Sequence, residues 1–397
     1  MTYPLTIASS AMRAINRSAI LEIIRRESPI SRSAIAERLD VSLPTVMRIV
    51  DELIGEGFVR LHGDTEWSGG RRRSLLEFNA DGYVVLGIDL GGTKMYGAIS
   101  DLGGNILDEV STDRHGLSAE DNYNQLVTLI DTMLASPSLH ERRVRGVGVG
   151  VPGVTLHKDG IVKWAYPLKW KDFPLKARLA ERYSLPVTVD NDVNLAALGE
   201  LWFGVGQNTQ NMVLVALSTG IGSGIIIDGA LYRGASEASG EIGNMILGRE
   251  FLGKNYQEFG ALETMASATG IAERARQVLK RWRDPVDLEN LLAEDVFEAA
   301  RQGQKWAWAV IDETVDYLAM AIANLMVSFD PELIVLGGGL TSSAGIFVEP
   351  ILRRLDGTIP VLPKLVVSNL GWRATVMGAI TNVLHNTANF YVVRKLS

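Results

Sequence analysis

The stretch Gly87–Lys94, GIDLGGTK, constrains this chain more than any other. An apolar run, Tyr83–Leu86, leads into it, and Met95–Ser100 leads out toward a second turn at Leu102–Asn105. β-rich segments on both sides of a Gly-Gly turn predict two adjacent antiparallel strands joined by a hairpin. That excludes the two commonest glycine-rich phosphate loops, because a Walker loop sets its lysine at the start of a helix and a dinucleotide fold runs strand, turn, helix. A hairpin tip of this composition can turn backbone N–H groups, the Thr93 hydroxyl and the Lys94 ammonium toward a phosphate. Gly91 and Gly92 form the bend, and Asp89 stands where it can hold a metal ion through water. An ordinary glycine-rich hairpin has the same local pattern, so the rest of the chain must decide.

At 397 residues, with 47% apolar and 21% charged residues, the chain has room for two or three well-buried cores. It has no cysteine, which excludes disulfides and thiolate zinc sites, and its five histidines are too scattered to form a ligand pair. The N-terminus lacks the continuous apolar core of a signal peptide and no stretch reaches the length of a membrane span, so a cytoplasmic protein without membrane contact is expected. Residues 1–82 hold eleven arginines, no lysine and eleven acidic residues; the whole net charge of −7 falls on the remainder. A neutral segment with clustered arginines ahead of an acidic body suits DNA binding confined to one surface.

That segment is patterned accordingly. Residues 12–26 place Ile15, Ile20, Ile23 and Ile24 on one helical face, ending at Ser28-Pro29. Ser31 then caps a short helix with Ile35, Ala36 and Leu39, Asp40-Val41 turns, and Ser42 caps a second helix with Val46, Ile49, Val50 and Leu53. This is a helix-turn-helix with Pro44 in the first turn of its second helix, where a missing N–H costs nothing. Ser42, Leu43, Thr45 and Arg48 fall at the exposed start of that helix, positioned for base edges and phosphates. Two short strands, Phe58–Leu61 and Ser74–Phe78, flank the tip HGDTEWSGGRRR, a wing whose Arg71, Arg72 and Arg73 suit a narrow minor groove.

The body repeats itself faintly: the pattern strand, glycine turn, strand, second turn that starts at Val84 returns at Val213. Two lobes facing each other across a cleft are therefore expected, with Thr219 and Gly220 in the second glycine turn offering backbone donors from the opposite side. A third turn, Gly337–Leu340, would let Gly338 approach a nucleoside closely, and helices are expected at Asp121–Leu134, Leu262–Trp282 and Trp306–Phe329. In PVTVDNDVNLAALGE, from Pro186, a strand ends at Asn191-Asp192 and a helix begins, which puts polar side chains at a crevice; Asp192 is a candidate N-cap, and alternation turns Asp190 away.

With DLGGTK, VPG, DNDVNLAALGE, STGIGSG, GEIGN and LGGG in this order and spacing, the chain resembles the ROK family of sugar-responsive repressors and sugar kinases over nearly its whole length. The resemblance implies an α/β chain: a winged helix-turn-helix in residues 1–82, then a two-lobed body of the actin and hexokinase (ribonuclease H-like) sugar-kinase kind. Its lobes would be residues 83–200 and 201–397, with the last helix returning to the first lobe. It also implies a sugar site built from Gly153, Asn191, Asp192, Glu241, Asn244 and Glu263, with Asp192 as the base in a kinase. Carboxylates that each accept two hydroxyl protons fix a sugar's stereochemistry. The family's zinc site of one histidine and three cysteines is replaced here by Asn244, Lys254, Tyr256 and Ala261, so zinc is not expected. The loop GREFLGKNYQEFG must then be held by Phe251, Leu252, Tyr256 and Phe259.

Two functions remain open at this stage. One is a DNA-binding regulator, a homodimer or homotetramer reading a palindromic operator, with a sugar effector in its cleft and no required cofactor. The other is an ATP- and magnesium-dependent sugar kinase with an appended DNA reader. A purely structural assembly role is disfavoured by the arginine wing.

Overall fold

The computed structural model describes residues 9–62, 74–115, 118–139, 142–256, 260–282 and 289–388. The chain begins with α1 (Ser9–Glu27), β1 (Ile30–Ser31), α2 (Arg32–Leu39), α3 (Leu43–Gly55), β2 (Val59–Leu61) and β3 (Leu75–Phe78). β3 pairs antiparallel with both β1 and β2, which gives the three-helix unit its small wing sheet. Ile20, Ile24, Ile35, Val46, Ile49, Val50 and Leu53 are fully buried, as the helical spacing requires, whereas Ile15 is 38% exposed. α3 already meets α1 on either side of Ile15, where Arg13 pairs with Glu52 and Arg17 with Glu56, so Ile15 lies off the covered face. Ser31 caps α2 through a bond from the Ala34 N–H (3.2 Å). Ser42 does not cap α3: its hydroxyl pairs with that of Thr45, the N3 residue, at 2.8 Å rather than accepting a backbone N–H.

The first lobe runs β4 (Val84–Leu90), β5 (Lys94–Asp101), β6 (Ile106–Asp113), α4 (Ala119–Leu134), β7 (Val144–Val151), β8 (Val154–Leu156), β9 (Ile161–Ala165), β10 (Trp170–Phe173), α5 (Leu175–Tyr183), β11 (Val187–Asn191) and α6 (Asp192–Phe203). The expected hairpin is present, with β4 and β5 antiparallel from Val84↔Asp101 to Leu90↔Met95. The sheet order is β6-β5-β4-β7-β11, antiparallel on one side of β4 and parallel on the other.

The second lobe has β12 (Met212–Leu217), β13 (Ile221–Ile227), β14 (Ala230–Tyr232), α7 (Ala261–Ala266), α8 (Ala268–Trp282), α9 (Ala293–Arg301), α10 (Lys305–Phe329), β15 (Leu333–Gly337), α11 (Ala344–Leu355), β16 (Leu365–Val367) and α12 (Arg373–Ala388). Its order β14-β13-β12-β15-β16 repeats the first sheet strand for strand, so the faint sequence echo is a duplicated architecture. The helix expected over Leu262–Trp282 is two helices. Ser267 is extended (ψ 165°) and its hydroxyl accepts the Gly270 N–H at 3.1 Å, so one residue ends α7 and caps α8.

α12 crosses back onto the first lobe and packs on α6, β4 and β7. Gly199 and Gly378 make the crossing possible: a methyl on Gly199 would stand 3.0 Å from the Ala374 carbonyl carbon, and one on Gly378 would meet the Leu195 backbone. Beyond that crossing, Val85, Leu102, Met377, Ile380, Val383 and Leu384 join Ile20, Ile24, Leu53, Phe58 and Leu76 in one hydrophobic cluster. The N-terminal unit thus shares a core with the body.

Candidate functional site

Asn191 and Asp192 sit where β11 becomes α6. Asn191, not Asp192, is the N-cap: its side-chain oxygen accepts the Asn194 N–H at 2.9 Å while its amide donates to the Gly153 carbonyl, also at 2.9 Å. Occupied in this way, Asn191 leaves the Asp192 carboxylate to the cleft, with a bond from the adjacent Val193 N–H (2.9 Å). From the other lobe come Glu241 and Glu263. Glu263 accepts the N–H groups of Ile221 (2.8 Å) and Gly260 (2.7 Å), which ties the second glycine turn to α7. Asn244 is exposed and its amide reaches back to the Glu241 carbonyl at 3.4 Å.

The carboxylates feel one another. Burial, followed by the charges of Asp192 and Glu263, pushes Glu241 up to about 7. Burial pushes Asp192 up to about 6, against the opposing pull of the Val193 N–H. Asp89 on β4 is raised well above the ordinary range by burial and then by Asp192. The cleft therefore gathers carboxyl groups that resist ionising together, and sugar hydroxyls can bond to them.

The two glycine turns meet. A methyl on Gly92 would lie 3.1 Å from the Thr219 hydroxyl oxygen, so the first-lobe hairpin tip touches the second-lobe tip. Gly220 abuts Glu263, and Gly338, at φ +86°, packs on the Leu217 backbone at the base of the same turn. Thr93 and Lys94 are exposed; Lys94 lies 3.9 Å from Asp113 on the neighbouring strand. Thr269 Oγ1 donates to the Thr219 carbonyl at 3.1 Å, which brings the start of α8 behind the turn. Sequence reasoning missed Arg114: it donates to the Gly92 carbonyl (Nε, 2.8 Å) and to the Pro167 carbonyl (2.8 Å), while its own N–H bonds to Thr93. Its position just after β6, opposite the hairpin tip in register, was the available signal.

On the reader, Ser42, Leu43 and Arg48 are exposed and Thr45 is partly so; Met47, which the sequence reading passed over, is 47% exposed on the same helix. Arg71, Arg72 and Arg73 lie outside the described residues. In the loop after Glu241, Phe251 is buried edge-on to Tyr317 (5.7 Å) and the Lys254 ammonium is 5.6 Å from the Phe251 ring. Leu252, expected to pack, is 66% exposed, because the buried contacts of that turn are taken by Phe251; Tyr256 is partly buried and Phe259 lies outside the described residues. Among the described residues no three His, Cys, Asp or Glu side chains are grouped to hold a metal ion. Asn244, Lys254, Tyr256 and Ala261 do not fit a zinc ion, since Lys254 and Ala261 offer it no ligand at neutral pH.

Fold and cleft together define a two-lobed body of the sugar-kinase type that carries a winged DNA-binding unit. The chain belongs to the ROK family, whose model matches residues 85–385, and residues 13–60 match a winged helix-turn-helix DNA-binding model. It is 31% identical over 391 residues to a putative xylose repressor of Caldicellulosiruptor sp., covering 96% of this chain and 98% of that one. It is also 35% identical over 308 residues to a glucokinase of Halalkalibacterium halodurans, covering 74% of this chain and 92% of the enzyme. A solved ROK family transcriptional regulator, a homologue of the E. coli MLC protein, superposes with a TM-score of 0.83 at 28% identity, over 96% of this chain and 98% of that one. No described helix is long and apolar enough to cross a membrane.

Proposed function

We propose that this protein is a sugar-responsive DNA-binding transcriptional regulator, a repressor of carbohydrate-utilisation genes, whose effector binds between the lobes at Gly153, Asn191, Asp192, Glu241 and Glu263. The observation that carries the proposal is the joint core: the winged unit is built onto α12 and the far end of α6, and α6 begins at Asn191 and Asp192, the residues proposed here to meet the sugar. Arg25 of α1 stacks 4.8 Å over Trp202 near the end of α6, and the His385 ring meets Trp202 edge-on at 5.1 Å. A shift of one lobe at the α6 start is thereby transmitted to the reader through a packed helix. The crowded carboxylates favour a neutral sugar over a sugar phosphate, whose charge they would repel. Paired winged units in a dimer would read a palindrome.

The test is fluorescence anisotropy with genomic fragments selected for binding, titrated with D-xylose, D-glucose and N-acetyl-D-glucosamine. One of these sugars should change DNA affinity about 5- to 150-fold, the usual range of allosteric coupling. Sugar binding with DNA affinity unchanged would refute it.

The contact between Gly92 and Thr219 and the retained Asp89 favour a second activity, ATP-dependent sugar phosphorylation with Asp192 as base. Asp89 fits a magnesium ion held through water, which would neutralise phosphate charge; Lys94 and the turn N–H groups would orient the phosphates. ADP release that depends on sugar and is lost in Asp192→Asn would establish it, and its absence with every sugar would leave the sensor alone.

A further inference from the structure

The loop 233–241, between β14 and Glu241, is fastened to the opposite lobe at two points. At its base, the Arg233 guanidinium forms a two-pronged ion pair with Asp190, at 2.7 Å to each carboxylate oxygen. Asp190 has 1% of its side chain exposed, against 19% for Arg233, and also accepts the Asn191 N–H at 2.8 Å, so the carboxylate is shielded from solvent and the pair sits one residue before the proposed sugar-site asparagine. At the loop's middle, the Glu237 carboxylate accepts the His157 N–H at 2.7 Å and lies 2.8 Å from its Nδ1. His157 follows Gly153 in the first lobe by four residues. The loop itself is preset: Ser239 N–H bonds to the Arg233 carbonyl (3.1 Å), and the Gly240 carbonyl accepts the Ser223 N–H (2.7 Å). Left-handed backbone at Gly234, Glu237 and Gly240 then folds the chain back so that Glu241 follows directly.

We infer that Arg233 and Glu237 form an interlobe clasp, a pair of positioning residues that hold Glu241 of the second lobe against Asn191 and Asp192 of the first. Neither touches the sugar. Both act by keeping the binding-competent arrangement populated before sugar arrives, and a site competent only part of the time binds more weakly in proportion. One anchor is next in sequence to Asn191 and the other lies four residues after Gly153, so both fasten to the first-lobe segments that the sugar would meet. The inference rests on the cleft being the sugar site, but the clasp has a consequence that needs no sugar.

The test compares the full-length protein with Arg233→Met/Asp190→Asn and with Glu237→Gln. The double variant removes both charges, because Arg233→Met alone would strand a buried carboxylate and endanger the fold. Small-angle X-ray scattering should show the sugar-free double variant expanded relative to the unmodified protein, and contracting when saturating D-xylose or D-glucose is added. Calorimetry with the sugar that binds should show affinity weakened about tenfold, mid-range for coupled neighbours, with Glu237→Gln intermediate. Unchanged scattering and unchanged affinity in the double variant would overturn the clasp. An expanded variant in a protein that binds no sugar would uphold the clasp and overturn the reading of the cleft.

Discussion

Replacing Glu241 by Gln should make the sugar-free protein more stable and its sugar binding worse. Glu241 rises from an ordinary 4.5 to about 7 on folding, so in the native state it holds its proton up to neutral pH while the unfolded chain has released it. The stability linked to that proton is fully present below pH 4.5 and is lost as pH rises through 7. The loss amounts to ~3 kcal/mol at pH 8. A glutamine carries no charge to lose. The variant should therefore exceed the unmodified protein by ~3 kcal/mol at pH 8 and by under about 1 kcal/mol at pH 5. For a chain of this size that is roughly 4 °C in melting temperature at pH 8, readable by differential scanning fluorimetry without ligand. At pH 8, where Glu241 is ionised, the same variant gives up a charged acceptor for sugar hydroxyls, which should weaken binding there by ~1.5–3 kcal/mol. Equal melting temperatures at pH 8, or a stabilisation that persists undiminished at pH 5, would refute the reasoning.

Arg48→Ala should weaken operator binding and reduce the slope of log affinity against log salt by about one, if the guanidinium meets a phosphate; anisotropy titrations at several salt concentrations check it. Trp202→Ala removes the ring between Arg25 and His385, and should leave sugar affinity near normal while cutting the sugar–DNA coupling by ~0.5–2 kcal/mol, measured as the ratio of DNA affinities with and without sugar. Gly92→Val should force the two turn tips apart at a cost of ~1–3 kcal/mol, lowering the affinity for a non-hydrolysable ATP analogue while sugar binding is retained. Equal nucleotide affinities in the two proteins would show that the meeting of the turns has no bearing on phosphate.

The hairpin at Gly87–Lys94 was legible because its geometry is local: glycines at a bend between β-rich runs specify one structure. The reader was legible for the same reason, since helical spacing and turn residues fall within a few positions of each other. The duplicated sheet followed from the second glycine hairpin at Thr219-Gly220. Capping was read less well, because it depends on competition: the Thr45 hydroxyl engaged the Ser42 side chain, and Asn191 took the cap assigned to Asp192. Least legible were contacts between lobes. Arg233 and Asp190 are 43 residues apart and His157 and Glu237 are 80 apart, with no periodicity to link them. Their pairing is set by how two sheets come together, which only tertiary packing determines.

Cleft and DNA reader, if thermodynamically coupled, must influence each other by the same factor, and reciprocity can be measured. Calorimetric titration of D-xylose or D-glucose into the free protein and into the protein saturated with its selected DNA fragment yields two sugar affinities. The two affinities should differ by the same factor, about 5- to 150-fold, by which the sugar shifts DNA affinity. Identical sugar affinities in the two titrations would contradict the coupling.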